Sequence, residues 1–363
     1  MKKWLSPHHS RTALLIAFHL IYTFAAWRFS VVNGGDAAGY WFLHEDISEI
    51  SWRSLFAPGT SLIRFLNFPW VYYLKMPFWA GFFLYSALGL IALLQFRKWA
   101  GEYLEAEDAA KWADCLLLLP VFHFWFCLIG KEAFLFLALV CLVLAVSGLQ
   151  LTVSAVLSFI LILLLRPHLL IILSAALFCS LFFAHGISHR IRNMGALALI
   201  IAAAAGFLVL LQLQDFTGGF LQAVHRKFQV HIVFMQHTGA YVPLDRYPLP
   251  WKMFTFWFRP LPGERTGWLY TVWSLENAVF LMLFVASCIA AFKKGWTCLK
   301  PDHTAVFLMV FALLYSGILV FGYANYGLIY RSKALLVPFL MVMLLRIIYK
   351  GRSNAPTSLH PHP

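Results

Sequence analysis

Long apolar stretches make up most of the chain, and short polar stretches separate them. Hydrophobic residues run continuously within these stretches instead of alternating, which favours helices over the strands of a membrane barrel. A helix needs roughly 20 apolar residues to cross a bilayer. The pattern predicts ten spans, near residues 12–29, 77–96, 113–129, 133–148, 150–165, 168–186, 194–213, 269–292, 304–323 and 334–349. An even number of spans places both termini on the same side of the membrane.

Two longer polar and aromatic segments interrupt this pattern, at residues 30–76 and 214–268. The first interleaves aromatic rings with arginine and lysine, which is typical of segments that lie in the lipid headgroup layer. The second is rich in proline, which favours short helices and turns over a regular domain. We therefore expect one transmembrane domain over residues 1–349 with two long extracytoplasmic loops, and a disordered cytoplasmic tail over residues 350–363.

The amino-acid composition supports the same class of protein. Hydrophobic residues make up 61% of the 363 residues and charged residues 12%. This balance is typical of a polytopic membrane protein, so the predicted fold is an all-α bundle of about ten transmembrane helices. The formal net charge is +13, but the basic residues lie at the ends of spans instead of forming one block. Their distribution argues against nucleic-acid binding and fits contact with lipid phosphates.

Lysine and arginine near the ends of spans predict the orientation, because they are more frequent on the cytoplasmic side. With the two long loops set aside, fourteen of these residues lie on the side of the termini and five on the opposite side. This distribution places both termini in the cytoplasm and both long loops outside. The long loops hold nine further basic residues, so the inverted orientation stays open as an alternative.

Charged residues at membrane depth cost free energy, so they are informative about function. In the favoured orientation seven of them share the outer side: Asp36, Lys131, Glu132, Arg166, Arg259, Arg331 and Lys333. Each also has a purely structural interpretation. Asp36 after Gly34-Gly35 could be a helix cap or turn residue, and the basic residues could anchor the chain in the headgroups. Glu276, inside the eighth span, could hydrogen-bond a neighbouring helix.

Together these charges meet the needs of sugar transfer from a polyprenyl phosphate or diphosphate. Basic side chains would bind the phosphate and stabilise the charge that develops there as the sugar–phosphate bond breaks. A carboxylate would accept the proton of the attacking hydroxyl. We expect Asp36 to be this base and Glu132 to assist or position it. The expected substrate-binding residues are Tyr40, Lys131, Arg166, His168, Arg226, Arg259, Arg331 and Lys333. No metal-ligand spacing is visible, and neither metal nor cofactor is expected.

The order of these features resembles the membrane-embedded glycosyltransferases of the GT-C superfamily. In both, a first span leads into an outer loop that begins with an acidic residue, and a multi-span bundle follows. The resemblance implies that Asp36 is the catalytic acidic residue, and that Lys131 and Glu132 correspond to polar residues of the second outer loop. Asp36 lacks the paired acid of many members, although Glu45 and Asp46 follow it.

The chain also resembles bacterial O-antigen and exopolysaccharide polymerases of the Wzy type. These have a large outer loop between later spans, with arginines for the lipid-linked glycan. The arginines of the corresponding loop here are Arg226, Arg246, Arg259 and Arg265. The pattern of Asn325, Gly327 and Arg331 before the last span is similar as well. Both resemblances imply transfer of sugars from lipid carriers on the outer face.

These features predict an enzyme of surface polysaccharide assembly in the inner membrane of a bacterium. Its partners would be polyprenyl-linked sugars or oligosaccharides, membrane lipids and other polysaccharide assembly proteins, but not nucleic acid. The alternatives are a transporter or flippase of lipid-linked sugars, and a non-catalytic membrane partner of an assembly machine. A transporter needs polar side chains at mid-membrane depth, whereas spans 77–96, 133–148 and 194–213 are nearly devoid of charge.

Overall fold

The computed structural model describes residues 7–43, 51–104, 106–185, 187–213, 219–294 and 301–350. Regular structure in these ranges is helical, as predicted, and the one β-type pairing among them is an isolated bridge between Tyr241 and Asn325. Residues 351–363 of the expected tail lie outside the described residues, as do Glu45 and Asp46.

Sixteen α-helices lie within the described ranges. They are α1 (Pro7–Asn33), α2 (Asp36–Trp41), α3 (Thr60–Phe68), α4 (Phe78–Leu104), α5 (Glu107–Leu116), α6 (Pro120–Cys127), α7 (Glu132–Ser147), α8 (Val153–Leu165), α9 (Pro167–Leu181), α10 (His189–Gln212), α11 (Phe220–Gln236), α12 (Leu249–Phe258), α13 (Trp268–Lys294), α14 (His303–Leu319), α15 (Tyr326–Lys333) and α16 (Val337–Tyr349). Short turns of tighter or wider helix lie at Trp52–Leu55, Pro69–Tyr73 and Leu244–Arg246.

Each of the ten apolar segments coincides with one helix or with a bent pair of helices. The helices α1, α4, α10 and α13 are long and apolar enough to cross a membrane. The pairs α5–α6, bent by 54°, and α15–α16, bent by 60°, qualify when each pair is counted as one span. The helices α7, α8, α9 and α14 are apolar but have between 13 and 17 residues, fewer than the roughly 20 of a typical crossing. The described residues therefore show four to six candidate spans, and the count of ten stays a prediction.

Prolines explain why several apolar segments break into shorter helices. Pro120 and Pro167 are the first residues of α6 and α9. The ring of a proline forces the preceding residue out of helical geometry, and Arg166 accordingly has φ −147° and ψ 79°. The break between α8 and α9 therefore falls on a charged residue, which leaves its side chain free to reach across the bundle.

Apolar side chains cover much of the outer surface. Gly206 is the only residue of α10 that is buried in the structure, while Leu197 and Ile201 of the same helix are exposed. Phe292 on α13 and Leu313 on α14 are exposed as well. Apolar surface this extensive is typical of helices that face lipid instead of water. The chain is therefore a helical membrane protein.

Stacked aromatic rings fill the interior where four of the apolar helices meet. The rings of Phe126 on α6 and Phe136 on α7 stack with 4.1 Å between their centroids. Phe96 on α4 meets Phe339 on α16 edge to face at 5.0 Å. All four side chains are almost completely inaccessible to solvent. The contact between Phe96 and Phe339 thus joins α4, early in the sequence, to α16, the last helix, in one core.

The helices α4 and α6 approach each other closely at Gly89. A methyl group on Gly89 would lie 2.6 Å from the carbonyl oxygen of Phe126, which is backbone and cannot rotate away. By contrast, Gly101 on the same helix has open space around it.

Replacing these two glycines by alanine should therefore change stability in opposite directions. We expect Gly89→Ala to lower the free energy of unfolding by about 1–3 kcal/mol, because the methyl group overpacks the contact with α6. Gly101→Ala should raise it by about 0.5–1 kcal/mol, because alanine favours the helix. Thermal unfolding in detergent micelles measures both. Equal effects of the two substitutions would contradict the close approach.

Candidate functional site

Four charged side chains from distant parts of the sequence meet in one ion-pair network. Arg331 donates from Nη1 to Oδ2 of Asp36 at 2.5 Å. It also donates from Nε and Nη2 to Oε1 and Oε2 of Glu132, at 2.5 and 3.0 Å. Arg166 donates from Nη2 to the same Oε1 at 2.8 Å. Glu132 therefore holds two arginines, and Arg331 links it to Asp36.

Two glycines place Asp36 at the end of the first long helix. Gly34 and Gly35 have φ values of +66° and +94°, a region that glycine enters without steric cost. The chain leaves α1 there and starts α2, with Asp36 as its first residue. Asn67 holds the other end of α2, because its Nδ2 donates to the carbonyl oxygen of Tyr40 at 3.0 Å. The hydroxyl of Tyr85 fixes Asn67 in turn, at 2.9 Å from Oδ1.

Glu132 is the first residue of α7, where the helix dipole favours a negative charge. Gly130 leaves room for its carboxylate, because a Cβ at that position would lie 2.9 Å from Oε2. A side chain at position 130 would therefore have to displace this carboxylate. The Gly130-Lys131-Glu132 sequence therefore forms a turn that positions the carboxylate of Glu132 at the start of α7.

Arg331 lies on α15, whose start is fixed by the side chain of Asn325. Its Oδ1 accepts hydrogen bonds from the backbone N–H groups of Gly327 at 2.7 Å and Leu328 at 3.3 Å, as expected of a helix N-cap. The hydroxyl of Tyr330 donates to the carbonyl oxygen of Trp273 at 2.5 Å and ties the helix to α13. Asn325 therefore caps the helix that carries Arg331 six residues later.

The four side chains differ strongly in their access to solvent. The exposed fraction of the side chain is 2% for Glu132, 11% for Arg166 and 16% for Arg331, but 60% for Asp36. Two carboxylates and two guanidinium groups balance in charge, which such burial requires. Both oxygens of Glu132 are already bonded. Asp36 is the carboxylate that a bound substrate could reach.

Lys131 lies beside this balanced network as an additional cation. Within the described part of the chain, no carboxylate lies within ion-pair distance of its ammonium group. Burial, followed by the positive charge of Arg166, lowers the pKa of Lys131 to about 8. An anion that binds next to Lys131 would favour its charged form. With Lys131 charged, the network and this lysine together carry one net positive charge, which a bound anion would neutralise.

A cavity of about 120 Å³ opens at the network and is lined by Asp36, Glu132, Arg331 and Trp125, among others. The indole N–H of Trp125 is buried and has no acceptor among the described residues, and the same is true of Nη1 of Arg166. Buried donors are normally satisfied, so both could donate to a polar ligand or to water; Trp125 lines this cavity, whereas Arg166 is not among its lining residues. A larger cavity of about 510 Å³, lined by Trp257, Phe280 and other apolar residues of α12, α13, α14 and α16, has no charged lining residue. It is therefore no candidate for chemistry.

Two further predicted residues lie close to the network. The ring of Tyr40 approaches the turn before α7, with Cε2 3.7 Å from the position of a Cβ on Gly130. Burial and the charge of Asp36 raise the pKa of Tyr40. His168 is partly buried and follows Arg166 by two residues, at the start of α9.

Three predicted residues lie apart from the network. Arg226 is exposed on α11. Arg259 pairs with Glu264 at 2.9 Å and covers the ring of Trp251. Lys333 is buried and donates to Oδ1 of Asn277 at 2.5 Å and to the carbonyl oxygen of Trp257 at 3.3 Å. Their predicted roles in binding the substrate stay predictions, and the network does not include them.

The expected structural role of Glu276 is confirmed. Its Oε1 accepts a hydrogen bond from the backbone N–H of Val121 at 2.7 Å, so it links α13 to the start of α6. Sequence reasoning missed Trp125, Asn67 and Gly130. The only signal for Gly130 was its place directly before two charged residues between apolar stretches.

No protein-family model, no curated protein and no solved structure matches this chain. The class of this protein therefore rests on its fold and on its charged site alone. The chain is a helical membrane protein with four to six candidate spans and a largely buried ion-pair network at the ends of its helices.

Removing the charge of Glu132 should destabilise the fold. We expect Glu132→Gln to lower the free energy of unfolding by about 3–5 kcal/mol, because two largely buried arginines lose their counter-charge. The matched control is Glu102→Gln, whose exposed side chain pairs with Lys98 at 4.0 Å and should change stability by less than about 0.5 kcal/mol. Thermal unfolding in detergent micelles compares the two. Similar small losses in both variants would show that Glu132 is not paired as described.

Proposed function

We propose that the chain is a membrane-embedded glycosyltransferase or polymerase that uses sugars carried on polyprenyl phosphate or diphosphate. It acts on the extracytoplasmic face of a bacterial inner membrane, with both termini in the cytoplasm, and serves surface polysaccharide assembly. One observation carries the proposal: an exposed carboxylate, Asp36, is held by a largely buried arginine beside a cation without a carboxylate partner. This combination offers a base and a phosphate site next to each other.

In this proposal the donor phosphate binds between Lys131 and the two arginines. The hydroxyl oxygen of the acceptor attacks the anomeric carbon, and the bond between that carbon and the phosphate oxygen breaks. The bonding electrons stay on the phosphate, where Lys131, Arg166 and Arg331 stabilise the added charge. The proton of the acceptor hydroxyl passes to Asp36. No metal or cofactor is part of this step.

The geometry favours Asp36 over Glu132 as the base. Glu132 accepts three hydrogen bonds from Arg166 and Arg331, so neither of its oxygens is free to take a proton. Asp36 receives one of its hydrogen bonds, on Oδ2, from Arg331, and its side chain is mostly exposed. Glu132 then positions Arg331, and Arg331 positions Asp36.

The proposal includes the expected ten-span topology. The short helices α7, α9 and α14 have many buried residues, so longer helices can surround them within the membrane. Arg166 and Glu132 then lie at helix ends at the depth of the lipid headgroups, where a polyprenyl phosphate carries its charge. Other polysaccharide assembly proteins would be the protein partners.

A carrier or flippase of lipid-linked sugars is the second candidate. It is favoured by polar side chains buried between α1, α4 and α6, among them His19, Ser86 and His123, since a transporter needs polar groups inside its bundle. Purified protein with a defined polyprenyl-linked donor separates the two candidates. A new glycosidic linkage supports the enzyme, whereas transbilayer movement of an unchanged donor supports the carrier.

Asp36→Asn should abolish most of the activity in that assay while the protein still folds. A general base contributes about 10²–10⁴-fold to a rate, and asparagine keeps the size of the side chain without accepting a proton. The matched control is Asp245→Asn in the second long loop, where the exposed carboxylate accepts a hydrogen bond from Tyr241. Full activity of Asp36→Asn would eliminate the proposed base.

The affinity for the donor should fall as the pH rises through the pKa of Lys131, which is about 8. If only the ammonium form binds, the apparent affinity drops by about tenfold between pH 7 and pH 9, in proportion to the charged fraction. Lys131→Arg should remove this dependence, because a guanidinium stays charged over this range. The KM for the donor measured across this range gives the answer, and an unchanged pH dependence in Lys131→Arg would contradict the role of Lys131.

A further inference from the structure

A second cluster of charged side chains lies at the other end of α1 from the ion-pair network. Arg97 on α4 donates from Nε to Oδ1 of Asp114 on α5 at 2.6 Å, and from Nη2 to Oδ2 at 3.1 Å. Its Nη1 donates to the hydroxyl of Thr12 on α1 at 2.5 Å. Arg11 makes a longer contact with Oδ2 of Asp114, at 3.3 Å. The guanidinium of Arg97 thus joins three helices at one point.

The length of α1 places this cluster at the opposite surface of the membrane. Arg11 and Asn33, the last residue of α1, are 22 residues apart, which is about 33 Å along a helix. The hydrocarbon core of a bilayer is about 30 Å thick, and Asp36 of the network follows shortly after Asn33. The two charged clusters therefore lie at the two headgroup layers. Trp112 on α5 is exposed beside the second cluster, as is typical of tryptophan at a membrane boundary.

A cavity of about 160 Å³ opens at this second cluster, between α1, α4 and α5. Arg11, Arg97 and Lys111 line it together with leucines of α1 and of the turn that follows α5. Arg11 and Leu14 lie one turn apart on α1, so they occupy the same helix face. Cations and aliphatic side chains therefore share one cavity. Such a lining suits a molecule that has both an anionic group and an apolar chain.

The charges at the cavity favour an anion. Arg97 holds both oxygens of Asp114, and 13% of its side chain is exposed, compared with 42% for Arg11. A guanidinium group has five N–H donors, and the 3.3 Å contact with Asp114 engages one nitrogen of Arg11. Two arginines and one aspartate leave a net charge of +1. Arg11 is the side chain that can carry this charge to a ligand.

Lys111 adds a donor to the cavity without adding to the excess charge. Its ammonium group pairs with Glu107 at 2.9 Å and with Asp108 at 3.3 Å. Both carboxylates are exposed to solvent, and neither is among the described residues that line the cavity. Within that lining the carboxylate is Asp114, which Arg97 already holds. The cavity therefore presents a single positive charge that a monoanion would neutralise.

We propose that this cavity binds an anionic phospholipid from the leaflet opposite the ion-pair network. The phosphodiester group accepts hydrogen bonds from Arg11 and Lys111, and its one negative charge balances the cluster. An acyl chain lies against the exposed side chain of Leu14 and the neighbouring leucines. In the proposed orientation this is the cytoplasmic leaflet, where anionic lipids attract basic residues. Binding of the lipid does not depend on glycosyl transfer.

Native mass spectrometry of the full chain tests the proposal, with protein released from micelles that hold equal amounts of phosphatidylglycerol and phosphatidylcholine. We expect one phosphatidylglycerol to be retained in preference to phosphatidylcholine. Arg11→Gln should weaken its binding by about tenfold or more, because a charge-assisted hydrogen bond is lost. The matched control is Lys98→Gln, which removes an exposed cation on the same side of the membrane and should leave binding unchanged. Equal retention of both lipids, or equal losses in the two variants, would overturn the proposal.

A steric variant tests the cavity without changing any charge. Cys115 is exposed and lines the cavity, so Cys115→Phe should fill the space while thermal unfolding in lipid-free detergent stays as in the wild type. We expect this variant to lose the bound phosphatidylglycerol, and retention would contradict binding in the cavity. Glycerol 3-phosphate has the anionic group without acyl chains and should not displace the lipid at equal concentration. Displacement would show a site for soluble phosphates and would overturn the proposal as well.

Discussion

The bond between Glu132 and two arginines is the interaction on which the rest of the structure depends. A carboxylate with 2% of its side chain exposed costs too much free energy to bury unless cations hold it. Arg331 arrives from a position 199 residues away and Arg166 from one 34 residues away. Their pairing brings together the end of α8, the start of α7 and the last turn of α15. The short helix α2 joins them through Asp36.

The need to bring these charges together explains several local features of the chain. Gly34-Gly35 turns the chain so that Asp36 faces Arg331, and Gly130 leaves space for the carboxylate of Glu132. Pro167 breaks an apolar stretch at Arg166 and thereby frees the guanidinium to cross to α7. Each of these residues would be an ordinary helix breaker in isolation. Together they converge on one charged centre at helix ends, and the proposed binding of a lipid-linked phosphate rests on this convergence.

The sequence predicted where the helices lie, but only some of the contacts between them. Continuous apolar runs located helices in all ten predicted segments, but they did not show that α7, α8, α9 and α14 are shorter than a typical span, because hydropathy does not register where a helix ends. The grouping of Asp36, Glu132, Arg166 and Arg331 rested only on the cost of burying charge. Arg331 and Lys333 are two residues apart on one helix and do not face the same way, so the network includes Arg331 alone of the two. Lys333 accordingly bonds Asn277 and not the network. The contact between the buried rings of His19 and His123, whose Nδ1 atoms lie 2.9 Å apart, had no signal in the sequence, because 104 residues separate them.

The central claim is that Glu132 and Arg331 form one unit across the bundle, and a double-mutant cycle measures this most directly. The free energy of unfolding of Glu132→Gln, Arg331→Gln and the double variant gives the coupling between the two side chains. Our account predicts that the double variant loses less stability than the sum of the single losses, by about 0.5–3 kcal/mol. Losses that add to within about 0.3 kcal/mol would mean that the two side chains do not interact, and the charged centre would not exist as described.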